Sequence, residues 1–336
     1  MNPLTNQENR QLQHYLTENL EQLPRTFAEA VTKVKNFALQ EFDKEIAQKQ
    51  LYYHTREHVN GVQRRAQIIF QVIRPDWEAS QEGDTTSDYI TRMQLLLNLC
   101  AASHDMIQIF SPQTEPHTSR RREPGVSEAA TINKLINYVQ AQNQWLHQYD
   151  PESPALFTDS DLHVLREAIE VTIALFDPSD QAIYQPDLYN PDKNLSLVAR
   201  IIALADIGSL GIEGIEAYNW EGSLHLIEDN PDIIPLILNG DIHNLASENQ
   251  ELYENIKQRF LRRARFQVNF AKSRLARYTR EVKGLPIEAI PILTHDVFKY
   301  LNPETIRKIE SITPTDEDTT LDELMEFFEL DKYIKN

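Results

Sequence analysis

The sequence predicts an all-α protein, and three observations carry that reading. Only nine glycines occur in 336 residues. The long stretches are rich in Ala, Leu, Glu, Gln, Lys and Arg, the residues that lose least on entering a helix. No Asn-Gly or similar dipeptide lies between alternating apolar runs, so the usual hairpin signal is missing.

Taken in order, the apolar positions recur at helical spacing from about Gln7 to Leu51: Leu12, Tyr15, Leu16 and Leu20, then Phe27, Ala30, Val31, Val34, Phe37, Ala38 and Phe42. These read as two amphipathic helices broken near Pro24. A third starts around His54, runs through Val59, Val62, Ala66, Ile69, Phe70 and Ile73, and ends before Pro75. Polar residues 81–88 form a loop. The stretch Ile90 to Met106 is almost uniformly apolar, which marks a helix buried on nearly all sides, and it closes on His104-Asp105. A loop over 111–125 holds Arg120-Arg121-Arg122 and Pro124-Gly125, after which Ser127 serves as the N-cap of a helix through Ile132, Leu135, Ile136 and Val139.

The cluster Thr158 to Asp161 caps a helix that continues to Phe176 and stops at Asp177-Pro178. A loop with Pro186 and Pro191 leads to a second strongly apolar helix, Leu195 to Ile207, with Asp206 near its end and Gly208 beyond it. A short helix near Glu221 to Ile227, a long one from about Ser247 to Lys283 and a short one over 296–312 follow. Residues 1–310 read as one helical domain, with 311–336 as an acidic amphipathic tail.

A chain of this length buries a sizeable core without staples. Its single cysteine, Cys100, excludes an internal disulfide framework and fits a reducing, cytoplasmic setting. No apolar run is long enough to span a bilayer, and the polar start lacks the order of a signal peptide. The formal net charge of −18 repels a polyphosphate backbone, which argues against polymeric nucleic acid as a partner. Small anions stay compatible, because a metal and local arginines reverse the field inside a pocket.

The residues that carry chemistry begin at Tyr53-His54-Thr55-Arg56-Glu57-His58-Val59. Two imidazoles four positions apart lie about 40° apart around a helix of about 3.6 residues per turn, so both project from one face. His104-Asp105 ends an otherwise apolar helix. A carboxylate buried there needs a cation, a hydrogen-bond network or a metal. Asp206 repeats the arrangement within Ala203-Leu204-Ala205-Asp206-Ile207-Gly208.

In this order of tokens the chain resembles the HD superfamily of metal-dependent phosphohydrolases, over roughly Leu51 to Gly211. The resemblance implies an HD-domain helical bundle with N-terminal helices and a C-terminal helical extension. It also implies one divalent metal ion held by His58, His104, Asp105 and Asp206. The Tyr-His-x-x-x-His opening is similar to that of phosphodiesterase-like bacterial HD hydrolases, which makes His54 the candidate general acid, with Asp105 or Asp206 the candidate for orienting the nucleophile. An imidazole ordinarily titrates near pH 6.5, so both of its protonation states are within reach around neutrality. A mixed N/O set of this kind suits Mn, Fe, Co, Ni, Zn or Mg.

The implied substrate is a small phosphomonoester or phosphodiester, plausibly nucleotide-like, with Arg120, Arg121 and Glu128 as substrate-binding candidates. The chain departs from the superfamily's better-known branches. Met106-Ile107-Gln108 follows the His-Asp pair where phosphodiesterases carry further ligands or substrate contacts, and the Gly-Tyr-Pro extension of cyclic-di-nucleotide enzymes is absent. A non-catalytic metal-binding sensor or scaffold is therefore the alternative.

Outside this constellation, His163, His225, His243 and His295 lack a second ligand at helical spacing and read as structural, while His117 lies in the loop after the His-Asp pair. The late helix is a basic block, from Lys257 to Lys283, within an acidic chain. It reads as an intramolecular partner of the tail, an anion-binding wall or a partner surface. The tail's Leu321, Leu324, Met325, Phe327 and Phe328 predict a helix packed on the body or on a second subunit, which leaves a homo-oligomer open.

Overall fold

Thr26 accepts a hydrogen bond from the Glu29 backbone N–H and so starts helix α1 (Phe27–Lys49), which ends where Gln50 turns left-handed. The computed structural model describes residues 23–80, 86–190 and 192–333. The helix expected over Leu12 to Leu20 lies outside these residues. After α1 come α2 (Arg56–Ala79), α3 (Thr86–Ser103), α4 (Val126–Tyr149) and α5 (Asp159–Glu170). Then follow α6 (Leu197–Asp206), α7 (Ile215–Asp229), α8 (Gln250–Glu281), α9 (Pro303–Ile312) and α10 (Leu321–Phe327), with short helical turns between. Among the described residues the protein is all-α apart from one antiparallel pair, β1 (Leu175–Asp177) and β2 (Ala182–Tyr184). No described helix is long and apolar enough to cross a membrane.

The main core is built around α3 and α6. Helix α3 packs on α1, α2, α5 and α6, and α6 packs in turn on α2 and α5. Val198, Ile201, Ile202, Ala203 and Leu204 of α6 are all buried, as its strongly apolar sequence, broken only by Arg200 before the terminal Asp206, requires. Each large side chain among them contributes about 1.5–3 kcal/mol of burial. Burial pushes the Cys100 thiol in α3 well above its ordinary range, so this cysteine behaves as a small apolar residue.

Three local expectations are corrected. Helix α2 does not stop before Pro75 but runs one turn past it; Trp77, 4 % exposed and edge-on to Phe70, anchors that last turn and outweighs the lost backbone bond. Helix α4 is entered through Gly125 in the left-handed region, and Ser127 does not cap it: its hydroxyl accepts from the Ile109 backbone N–H. Helix α5 does have the Thr158–Asp161 capping box. It ends at Glu170, however, because Leu175 to Asp177 is drawn into β1. Strands of three residues are too short to show a period of two. Here Asp177 accepts from Ser179 in the turn, while Arg277 of α8 reaches Asp177 and Asp180 and covers the Tyr184 ring.

Helix α8 packs on α7, α9, α10 and β2. The tail belongs to a second apolar cluster: Leu321, Leu324, Met325, Phe328 and Leu330 pack with Leu226, Ile227, Ile256, Phe260 and Leu261. Polar contacts trim its edge, with Arg265 pairing to Glu317 at 2.9 Å and Lys257 donating to the Glu317 carbonyl oxygen at 2.8 Å. Being exposed, such pairs are worth at most about 1 kcal/mol each, so apolar packing is what holds the tail. Leu324→Ala is expected to destabilise the fold by about 2–3 kcal/mol in urea denaturation, whereas Glu317→Ala should shift it by under about 1 kcal/mol.

Candidate metal centre

Three helix ends meet at one point. Helix α2 begins after Thr55 in extended conformation and carries His58 in its first turn. His104 and Asp105 occupy the turn immediately after α3, and Asp206 is the last residue of α6. The partial negative charge at the carboxyl ends of α3 and α6 favours a cation there. Gly208 lets the chain turn away directly behind Asp206, since a Cβ at that position would lie 2.6 Å from the Leu204 carbonyl oxygen.

His58, His104, Asp105 and Asp206 each offer one ligand atom, all within 4.8 Å of one another. Asp105 Oδ2 is 3.1 Å from His58 Nε2 and 3.0 Å from His104 Nε2, and Asp206 Oδ1 is 3.6 and 3.5 Å from the same nitrogens. The two Nε2 atoms are 3.4 Å apart. Donors at about 2.0–2.2 Å from one ion are separated by about 2.9–3.5 Å at right or tetrahedral angles, so this set fits a single divalent cation.

Its surroundings orient the ligands. His104 Nδ1 faces the Ala101 carbonyl oxygen at 3.2 Å, which directs Nε2 inward. Gln108 donates to Asp105 Oδ1 at 3.3 Å and Gln185 to Asp206 Oδ2 at 3.1 Å. His58 Nδ1 finds no hydrogen-bond partner among the described residues, and the Tyr53 ring packs 4.4 Å from this imidazole.

Burial opposes charge on His104, but Asp105 and Asp206 outweigh it and hold the imidazole well above its ordinary pKa. Asp105, whose burial alone would raise it, is held well below the carboxylate range by His104 and His54. A metal must therefore displace a proton from His104. Affinity for a divalent ion is expected to keep rising with pH above the ordinary imidazole range near 6.5, with proton release. Calorimetry in buffers of different ionisation enthalpy measures this, and pH-independent affinity without proton release is the contrary result.

His54 is not on the helix that carries His58. It precedes Thr55 in the chain, so a shared helical face does not bring the imidazoles to the 5.9 Å separation of their ring centroids. Glu228 of α7 does. This carboxylate is fully buried; its Oε2 accepts from the backbone N–H groups of Tyr52, Tyr53 and His54 at 3.0, 2.9 and 3.0 Å. Its Oε1 accepts from His54 Nδ1 at 2.5 Å, leaving Nε2 3.8 Å from Asp105 Oδ2. Burial alone would raise the Glu228 pKa, but His54 and then Arg122 bring it down to about 2.

A cavity of about 520 Å³ opens over this centre, lined on one side by His54, Asp105 and Asp206. Of the substrate-binding candidates, Glu128 lines it, with a pKa raised by burial and then by Asp105. Arg120 also lines it, although its guanidinium is engaged by the carbonyl oxygens of Lys49 and Gln50. Arg121 is exposed and outside the cavity wall. The next residue, Arg122, faces in: its Nη1 lies 3.0 Å from both His54 ring nitrogens and donates to Gln108 Oε1 at 2.9 Å. His117 pairs with Asp232 at 3.4 Å, away from the metal ligands.

Sequence reasoning did not single out Glu228, Gln185 or Arg122 individually, and it read His225 as merely structural. His225 lines the cavity and stacks on Tyr53 at 3.5 Å. Glu228 had one legible signal, a carboxylate next to Ile227 and Leu226 in an apolar stretch; its target 174 residues away had none.

No family model, curated protein or solved structure matches the chain.

Proposed function

We propose that the protein is a metal-dependent phosphohydrolase of HD type acting on a small phosphoester in a cytoplasmic setting. The observation that carries this reading is the juxtaposition of two groups. A four-ligand His/Asp cluster stands beside an imidazole that a buried carboxylate holds by its far nitrogen. A bound divalent ion supplies Lewis acidity, acidifying water and neutralising phosphoryl charge.

The chain's own residues do the rest. Glu228 Oε1 accepts a hydrogen bond from His54 Nδ1–H, so in the doubly protonated ring the Nε2–H is the proton given to a departing oxygen in the cavity, leaving a neutral imidazole that keeps its Nδ1–H. Asp105 lies between the two imidazole donors and His54, where a carboxylate orients an attacking water by hydrogen bonding. Arg122, desolvated on one side by Gln108 and His54, offers its remaining donors to phosphoryl oxygens.

The test is metal analysis of purified protein followed by a phosphoester screen with Mn, Ni, Co and Mg, with Asp105→Ala as control. Metal-dependent turnover lost in the variant supports the reading. Bound metal without turnover above the control favours a metal-binding scaffold, and turnover that survives Asp105→Ala removes the site assignment.

A further inference from the structure

Most basic side chains of the long helix α8 are paired with carboxylates; among the described residues Arg262 and Arg263 are not, nor is Arg280 near its end, which lies over the Tyr189 ring. Arg259 pairs with Asp232 at 2.8 Å, Arg265 with Glu317, Lys272 with Glu310, Arg274 with Glu281 and Arg277 with Asp177 and Asp180. Lys257 donates to the Glu317 carbonyl oxygen. Among the described residues, Arg262 and Arg263 have no carboxylate at salt-bridge distance. Arg263 has only the Gly222 carbonyl oxygen at 3.2 Å and the face of Phe266, 5.1 Å from the ring centroid. Both arginines line the cavity over the metal centre, together with Phe266 and Phe270.

These four residues share one face of α8, spaced three or four apart apart from the adjacent arginines. Phe266 and Phe270 stand parallel, with an interplanar angle of 9°, and both are half-buried. The carboxylate that acts most strongly on Arg263, Asp229, is shared with Arg122 at 3.7 Å. A chain of net charge −18 has spare carboxylates almost everywhere, yet two adjacent guanidinium groups are left without one where a cavity begins. Arg262 is exposed at the cavity rim, whereas Arg263 is half-buried; a half-buried cation is normally paired, and a guanidinium fork facing a pocket is shaped for a carboxylate or phosphate.

We propose that Arg262 and Arg263, with the Phe266–Phe270 shelf, form a second anion subsite. The substrate then carries a further anionic group, carboxylate or phosphate, across an apolar or planar body from its reacting phosphoryl group. This rests on the phosphohydrolase reading for where the phosphoryl group sits. The cavity of about 520 Å³ is large enough for both ends of such a molecule.

The test compares phenyl phosphate with 4-carboxyphenyl phosphate on the metal-loaded full chain. It also titrates metal-free protein with inorganic pyrophosphate by calorimetry. Wild-type kcat/KM is expected to favour the carboxylated ester by about tenfold or more, and Arg262→Ala/Arg263→Ala should bring that ratio to about one. The same double variant should weaken pyrophosphate binding about tenfold, while Arg265→Ala, a paired residue of the same helix, leaves it unchanged. Circular dichroism melting verifies that each variant is folded; if the double variant is not, Arg263→Gln takes its place. If no ester is turned over but pyrophosphate binding depends on the pair, the subsite stands and the phosphohydrolase reading falls. If turnover occurs and neither the preference nor pyrophosphate binding responds to the arginines, the subsite is overturned.

Discussion

Asp105→Ala is expected to lower divalent-metal affinity by a factor of about 100 or more, beyond the ten- to hundredfold that follows loss of an outer partner of a metal ligand. Asp105 Oδ2 is the atom nearest both imidazole nitrogens, at 3.0 and 3.1 Å, so it bridges the cluster where Asp206 stands at 3.5 and 3.6 Å. Removing it leaves two neutral-to-cationic imidazoles and one carboxylate, a poor field for a cation. Metal content after dialysis and calorimetric titration measure the effect. Gln185→Ala, which frees Asp206 Oδ2, should weaken binding by the smaller factor of about 10–100. Full metal content in both Asp105→Ala and Asp206→Ala would rule out the four-ligand centre.

Glu228→Ala is expected to cost about 3–5 kcal/mol of stability, because it strands the His54 imidazole and three backbone N–H groups in a site the carboxylate now satisfies completely. Glu228→Gln keeps the volume and one acceptor oxygen and should cost less. The pH dependence has a definite sign. The folded carboxyl, at about 2, lies below its ordinary value of 4.5. Its contribution is therefore full above about pH 4.5 and is lost as pH falls towards 2. A shift of that size corresponds to roughly 3 kcal/mol. The stability gap between wild type and Glu228→Gln, from urea denaturation, should narrow below about pH 4.5; a gap that is constant or widens there contradicts the ion pair. On the proposed phosphohydrolase function, turnover in either variant should fall further than metal binding, since His54 loses its orientation while the four candidate ligands stay in place.

Both predictions turn on how far a residue's surroundings can be read from its neighbours in the chain. The all-α class was legible because helix-forming composition and apolar spacing act over one or two turns. The apolar runs that became α3 and α6 declared themselves as core helices, and His104-Asp105 and Asp206 stood out as polar groups at their ends. A hydrophobic helix buried on all sides carries its ionisable residues to the interior, so candidate ligands could be named from the sequence. Where the reading erred, long-range packing had decided. Trp77 held α2 together past Pro75, and Arg277 drew Asp177 into a strand pair too short to leave a pattern.

By itself, then, the sequence determined the helical class, the buried helices and the polar tokens at their ends, since these follow from local propensity and solvent exclusion. Only the tertiary structure decided that the four ligand atoms lie within 4.8 Å and that Glu228 of α7, rather than a common helix, sets His54 beside them. It decided too that Arg122 faces the cavity while Arg121 does not, and that Arg262 and Arg263 line it with no carboxylate at salt-bridge distance among the described residues. Those outcomes depend on which side chains meet across separations of up to 174 residues of chain, and no local periodicity encodes that.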